Sequence, residues 1–236
     1  MSTKENIWAI IPAAGIGTRM KSETPKQYLK IQNKCVLEYT LERFCFNPLI
    51  EGVVVALAEE DPYWPKLSIS NHEKIMIVNG GVERCHSVLN GLKTLANKAK
   101  AADWVMVHDA ARPCLREDDI ETLIKKVNEK GTGGILAVPV RDTMKRVDSA
   151  NCVSETVDRT GLWHALTPQM FRLAELTLAI ENALDNGIQV TDEAQALELL
   201  NTQPQIVEGH PDNIKITHPE DLLLADLFLS QQGKLS

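Results

Sequence analysis

Ile7-Trp8-Ala9-Ile10-Ile11-Pro12-Ala13-Ala14-Gly15-Ile16-Gly17-Thr18-Arg19-Met20, followed shortly by Thr24-Pro25-Lys26-Gln27-Tyr28, is the stretch that decides how this chain folds. Ile7 to Ile11 is continuously apolar, as a strand buried on both faces should be. It runs directly into a turn of small residues, Ala13 to Gly17, where backbone N–H groups can approach an anion closely. Two cations follow, Arg19 and Lys26. Pro25 fixes its own φ and biases Thr24 toward an extended shape, which aims Lys26 back at the turn. Two other phosphate loops are excluded. A dinucleotide fingerprint needs a third glycine where Met20 stands, and the G-x-x-x-x-G-K-[ST] pattern is absent. The alternative is an ordinary strand-to-helix turn with two solvated cations.

Working outward, short apolar runs alternate with helical patterns. Ile7–Pro12, Gly52–Leu57, Lys74–Val78, Trp104–His108, Gly134–Val140 and Pro204–Val207 are expected strands. Ser87–Ala99 and Glu117–Lys130 each carry an apolar stripe at helical spacing. Such alternation predicts an α/β fold: one Rossmann-like, mostly parallel sheet flanked by helices, with residues 1–236 forming a single domain. Ligands of such sheets bind beyond the carboxyl ends of the strands. The turn after Ile11, the Gly80-Gly81 turn and Asp109 all fall on that edge. Residues 141–168 break the rhythm. Arg141–Val147 and Val153–Val157 flank the turn-rich Asp148-Ser149-Ala150-Asn151, predicting a protruding β-hairpin arm. An isolated hairpin is marginally stable in water, so the arm packs on a second copy of the chain or folds back on its own domain. Thr217-His218-Pro219-Glu220 has the form of a capping box opening a Leu-rich helix to about Leu229, and Gln231 to Ser236 is expected to be a loose tail.

The chain carries a formal net charge of −7, which opposes nucleic-acid binding. It also opposes a nucleoside triphosphate at long range. Such a ligand must meet a local cluster of cations (Arg19, Lys26, Arg112, Arg159 and Lys215 are the candidates), with a divalent metal masking part of its charge. No apolar run is long enough to span a membrane, and the first residues lack a secretory signal's apolar region. Five cysteines without a C-x-x-C spacing predict free thiols in a reducing, cytoplasmic setting. Asp109, at a strand end beside the expected phosphates, is read as a magnesium-associated or substrate-hydroxyl contact, or as a helix cap. Trp8 and Trp104 are expected in the core, and Trp163, in the arm, at a dimer contact.

Several segments together resemble the 2-C-methyl-D-erythritol 4-phosphate cytidylyltransferase family of the non-mevalonate isoprenoid pathway. They are Pro12-Ala13-Ala14-Gly15-x-Gly17-x-Arg19-Met20 with Pro25-Lys26-Gln27-Tyr28, Val107 to Pro113, Pro139 to Lys145, Thr156 to Arg159, Ala165 to Gln169, Thr191 to Ala194 and Asn213 to Thr217. The resemblance spans about Ile7 to Leu229. It implies attack by a phosphate oxygen of methylerythritol 4-phosphate on the α-phosphorus of CTP, with Mg²⁺ or another divalent cation, in a homodimer whose arm reaches the neighbour's site. A phosphomonoester has its second pKa near about 6, so the acceptor needs no general base. What the reaction needs is charge neutralisation and in-line placement.

Arg19 and Lys26 would then stabilise charge on the α-phosphate and the leaving pyrophosphate. Pro12, Ala13, Ala14, Gly15 and Gly17 would hold the nucleotide through the backbone. Gly80, Gly81, Arg84 and Ser87 resemble the family segment that touches cytidine and its triphosphate, with Asp109 and Ala110 opposite. By the same resemblance Arg159 and Lys215 position the acceptor, with Asp109, Arg112, Thr143, Thr167 and Thr191 as further contacts. Taken alone, Arg159 reads as a surface arginine and Lys215 as an outward lysine of a short strand. The chain departs from the family at Val82, Cys85 and His86, where relatives often carry polar residues. Ribitol 5-phosphate as acceptor, and a non-catalytic nucleotide sensor, are the competing functions.

Overall fold

The structure is a computed structural model that describes residues 5–15, 20 and 23–235. Its centre is a seven-stranded sheet. In chain order the strands of this sheet and of the arm are β1 (Ile7–Pro12), β4 (Gly52–Leu57), β5 (Ile75–Asn79), β6 (Trp104–Val107), β7 (Gly134–Pro139), the hairpin β8 (Met144–Val147) and β9 (Val153–Val157), β10 (Trp163–Arg172) and β11 (Gln205–Glu208). Two short strands, β2 (Lys30–Ile31) and β3 (Lys34–Cys35), pair with each other after the first turn. The helices are α1 (Val36–Cys45), α2 (Arg84–Leu95), α3 (Glu117–Lys130), α4 (Leu173–Asp185), α5 (Glu193–Glu198) and α6 (Glu220–Leu235).

The sheet order is β11-β7-β10-β6-β1-β4-β5. All pairings are parallel except those of β10, which runs antiparallel between β6 and β7. From β1 the chain steps outward to β4 and β5, then crosses back over α2 to β6 on β1's other side. The carboxyl ends of β1 and β6 therefore form the topological switch point, the crevice where open α/β sheets bind ligands.

Alternation along β1 sends its side chains to two different cores. Ile7, Ala9 and Ile11 pack with Leu37, Leu41 and Phe44 of α1 and with Leu123 of α3. Trp8 and Ile10 pack with Val88 and Leu92 of α2 and Leu176 of α4. A third cluster joins Val36, Ala111 and Ile216 to Ala225 and Leu229 of α6. Cys35, Cys45, Cys85 and Cys114 are buried and free, and burial pushes the thiols of Cys35, Cys45 and Cys114 up to about 12.

Four features differ from the sequence expectation. Strand β10 was not foreseen, because Pro168 interrupts its pattern and strand interiors exclude proline. The structure places Pro168 where the β10–β7 register shifts between Ala165 and Gln169, so its missing N–H is needed by no ladder bond. Residues 163–168 consequently belong to the central sheet, and the exposed hairpin is β8–β9. Residues 231–235 continue α6 instead of forming a tail. Finally, Asp221 and not Glu220 caps that helix: its carboxylate accepts the N–H groups of Thr217 and His218, both at 2.8 Å.

At the amino end of the sheet, buried Asp103 accepts from the Trp8 indole at 3.2 Å, Asn6 N–H at 3.1 Å and Lys100 N–H at 3.0 Å. Asp103→Ala leaves these donors without their acceptor. It should cost about 2 kcal/mol or more in chemical denaturation. A change under about 0.5 kcal/mol would contradict this role.

Candidate active site

At the β1/β6 switch point lies a cavity of about 250 Å³. Three groups of residues form it: Pro12 to Gly15 at the end of β1, Gly81 to Arg84 with Ser87 at the start of α2, and Asp109 to Ala111 after β6. Lys26, Gln27 and Lys215 close it. Most sequence-predicted nucleotide contacts thus converge on one place. Arg19 and Gly17 lie outside the described residues.

The turns are fixed by close contact and by backbone bonds. Ala13 N–H donates to the Ala56 carbonyl at 2.8 Å, and Gly80 N–H to the Leu57 carbonyl at 2.7 Å. A Cβ on Gly80 would stand 2.3 Å from that of Ala14, so only glycine lets the two turns touch. Ser87 accepts the Gly81 N–H at 3.0 Å. Val82, 93% exposed, stands at the cavity's mouth with no polar group to offer.

Asp109 is the electrostatic centre. It is 7% exposed. Its Oδ1 accepts from Arg84 Nε at 3.0 Å, and its Oδ2 meets Lys215 Nζ at 2.9 Å and Arg112 Nε at 3.5 Å. Burial alone would raise its pKa. The charges of Arg84, Lys215 and Arg112 overcome that and hold the carboxyl well below the usual carboxylate range. The alternative reading of Asp109 as a helix cap is therefore corrected: it caps no helix, since α3 starts only at Glu117. Lys215 is likewise not an outward strand residue: residues 214–216 form no ladder, and its ammonium turns inward to Asp109.

Arg84 is oriented from its far side. Its two terminal nitrogens reach Glu193 at 2.6 and 3.0 Å, a bidentate pair with a carboxylate that is 2% exposed. Burial would lower the Arg84 pKa, but Glu193 and Asp109 together raise it. Glu193 opens α5, which Asp192 caps by accepting the Gln195 N–H at 2.9 Å. Gln169 ties this cap to β10, donating to Asp192 and accepting the Ala194 N–H, each at 2.9 Å.

Beneath Asp109 lies a closed relay. Its N–H donates to Thr167 Oγ1 at 3.1 Å, and Thr167 Oγ1 contacts His108 Nδ1 at 3.0 Å. His108 Nε2 lies 3.0 Å from the Arg112 carbonyl, which only accepts. Nε2 must therefore carry the proton and Nδ1 must accept from the threonine hydroxyl. The imidazole is fully buried, which pushes its pKa down to about 4. The Thr167 hydroxyl is thus committed to the scaffold beneath the cavity. Arg112 is also committed: besides Asp109 it donates to the Asn213 carbonyl at 2.6 Å.

Thr143 and Arg159 lie on the exposed arm, away from this cavity, and the Arg159 guanidinium contacts the Arg141 carbonyl. Thr191 lines a neighbouring cleft that shares Glu83 and Arg84 with the main one. Lys26 lines the cavity, and its ammonium donates to the Ile216 carbonyl at 2.9 Å.

The 2-C-methyl-D-erythritol 4-phosphate cytidylyltransferase family model matches residues 7–231. The chain belongs to this family. It is 52% identical over 224 residues to the cytidylyltransferase of that name from Vibrio vulnificus strain CMCP6, covering 95% of this chain and 94% of the relative. The enzyme of the same name from Pseudomonas aeruginosa strain UCBPP-PA14 is 51% identical over 217 residues, covering 92% and 93% of the two chains. Among solved structures, the Francisella tularensis cytidylyltransferase superposes with a TM-score of 0.83 at 41% identity, covering 95% of this chain and all of that one. A 4-diphosphocytidyl-2C-methyl-D-erythritol synthase structure gives the same TM-score at 37% identity, covering 96% of this chain and all of its own. Members of this family are nucleotidyltransferases, and the fold expected from the sequence agrees with theirs.

The family implies a divalent cation. In the cavity, Asp109 already has cations on both oxygens, so no all-protein cage forms there. Mg²⁺ commonly binds through one or two carboxylates plus phosphate. The carboxylates lining the cavity, Asp109 and Glu83, fit an ion that would arrive with the nucleotide and be held mostly by its phosphates. Asp118, Asp119 and His210 have ligand atoms within 4.8 Å of one another, but none of the three lines the cavity.

The buried neutral His108 predicts a pH signature. Unfolded, it takes up a proton near about pH 6.5; folded, only near 4. Between these values the unfolded state binds more protons, so this contribution to stability is full above about pH 6.5 and declines as pH falls toward 4. Denaturation at successive pH values should show His108→Gln with a shallower decline in that window than the unsubstituted protein. Parallel curves would contradict the assignment.

Proposed function

We propose that the chain transfers the cytidylyl group of CTP to 2-C-methyl-D-erythritol 4-phosphate, giving 4-diphosphocytidyl-2-C-methyl-D-erythritol and pyrophosphate. The observation that carries this is one cavity uniting a small-residue turn, Lys26, and two cations locked to a buried Asp109. The acceptor's phosphate oxygen forms a new bond to the α-phosphorus of CTP. The bond from that phosphorus to the bridging oxygen breaks, and its electron pair leaves on pyrophosphate. The acceptor phosphate is largely dianionic at neutral pH, so no base is required. Among the described residues lining the cavity there is no histidine, which accords with that chemistry. Lys26, with Arg19, stabilises the charge that builds on the α-phosphate and leaving group. Backbone groups at Gly80-Gly81 and Ala13 to Gly15 hold the nucleotide, and Lys215 faces the acceptor side. Mg²⁺, when bound, masks phosphate charge.

The arm supplies the second acceptor cation. Arg159 and Thr143 lie outside their own cavity, and Met144, Val147, Val153 and Trp163 expose apolar surface there. A homodimer covers that surface and brings Arg159 and Thr143 to the neighbour's site. The buried, unpaired cysteines suit a reducing cytoplasm. Among the described residues no helix is long and apolar enough to cross a membrane.

With CTP, Mg²⁺ and methylerythritol 4-phosphate, the purified protein should release pyrophosphate, and more slowly with ribitol 5-phosphate, UTP or ATP. Equal or faster release with ribitol 5-phosphate would reassign the acceptor. Lys26→Ala should lower turnover about 10²- to 10³-fold, with a smaller loss of CTP affinity.

The arm's role is tested by mixing two inactive variants, Lys26→Ala and Arg159→Ala. A mixed dimer holds one site with an intact Lys26 and the partner's intact Arg159, so activity should return on mixing. No recovery in a verified mixed dimer would mean that Arg159 acts on its own chain's site.

A further inference from the structure

Gln27 is 4% exposed, yet it is one of the residues closing the cavity. Its side-chain nitrogen donates to the Ala13 carbonyl at 2.7 Å and the Gly15 carbonyl at 3.0 Å. Both partners can only accept, so the amide must present its NH₂ to them and its orientation is fixed by chemistry. These carbonyls belong to the turn that is to face a polyphosphate. A carbonyl oxygen turned toward phosphate repels it, whereas one held by a donor does not present that lone pair. Because the peptide is planar and trans, holding the Ala13 carbonyl also sets the direction of the Ala14 N–H.

The same short 3₁₀ turn, Lys26–Tyr28, carries the proposed catalytic lysine one residue before. On its other side the Tyr28 hydroxyl donates to Asp61 at 2.8 Å and its ring stacks on Tyr63, with centroids 4.9 Å apart. The turn is therefore anchored to the body of the protein, and through Gln27 it grips the phosphate turn. Glutamine supplies both donors without a charge: glutamate at neutral pH has no proton to donate, and methionine has the length without the donors.

We propose that Gln27 is a positioning residue that orients the nucleotide-binding turn, using both amide protons to hold two carbonyls off the triphosphate and to keep the turn in register with Lys26. This rests on the proposed placement of the CTP phosphates at that turn.

Two measurements test it. In Gln27→Met, calorimetry should show CTP·Mg²⁺ binding weakened about tenfold or more, while the KM for methylerythritol 4-phosphate stays within about twofold, because only the nucleotide side is disturbed. CTP affinity within about twofold of the parent, or parallel loss on both substrates, would overturn it. The second needs no variant. In the unsubstituted protein the Gln27 side-chain amide protons should exchange with solvent far more slowly than those of exposed glutamines. Exchange at the exposed rate would overturn the geometry. If the unsubstituted protein itself fails to bind CTP, the nucleotide assignment falls and this inference with it; if it binds and Gln27→Met binds equally well, only this inference falls.

Discussion

The site depends on one buried anion. Asp109 stands at the end of β6 with Arg84, Arg112 and Lys215 gathered round its two oxygens. These cations come from the start of α2, the segment after β6 and the chain beyond β11: Arg112 lies 28 positions after Arg84, and Lys215 a further 103 positions on. Without a shared counter-charge, three cations at one rim would repel and turn to solvent. Removing one partner of such a buried set leaves an uncompensated charge, which is costly, so the cluster holds as a unit. It concentrates positive charge inside a molecule whose formal charge is −7. In this way a net-anionic protein presents a local field suited to a triphosphate.

The support is layered. Glu193 holds the outer face of Arg84, and the His108–Thr167 relay fixes the backbone of Asp109 and Arg112. Strand β10 is what brings Thr167 under Asp109. An antiparallel strand inserted between β6 and β7 carries the chain back from the arm to the catalytic rim. The strand that leaves the arm thus also furnishes the support beneath Asp109.

Much of this was legible in the sequence, and the exceptions have physical causes. The β1 turn, the parallel strands and the Gly80-Gly81 approach announce themselves because apolar runs and small residues act locally. The segments around Asp109 and Lys215 were legible through their resemblance to a family. What remained hidden was long-range pairing. Glu193 looks like an ordinary first-turn acid of α5, and nothing in its surroundings marks Arg84, 109 positions away, as its partner. His108 follows an apolar strand and gives no sign that both its nitrogens are engaged. Thr167 resembled a substrate contact, yet its hydroxyl serves the scaffold. Strand β10 was masked by Pro168, which the register shift accommodates.

The most direct test of this account is a pH titration of the Asp109 carboxyl followed by its carbon-13 chemical shift in the selectively labelled protein. The cation cluster predicts that the signal stays that of a carboxylate through the ordinary aspartate range, around about pH 3.9, for as long as the protein remains folded. A signal that titrates at that ordinary value in the folded protein would mean that Arg84, Arg112 and Lys215 are not held by this charge, and the organisation described for the site would be wrong.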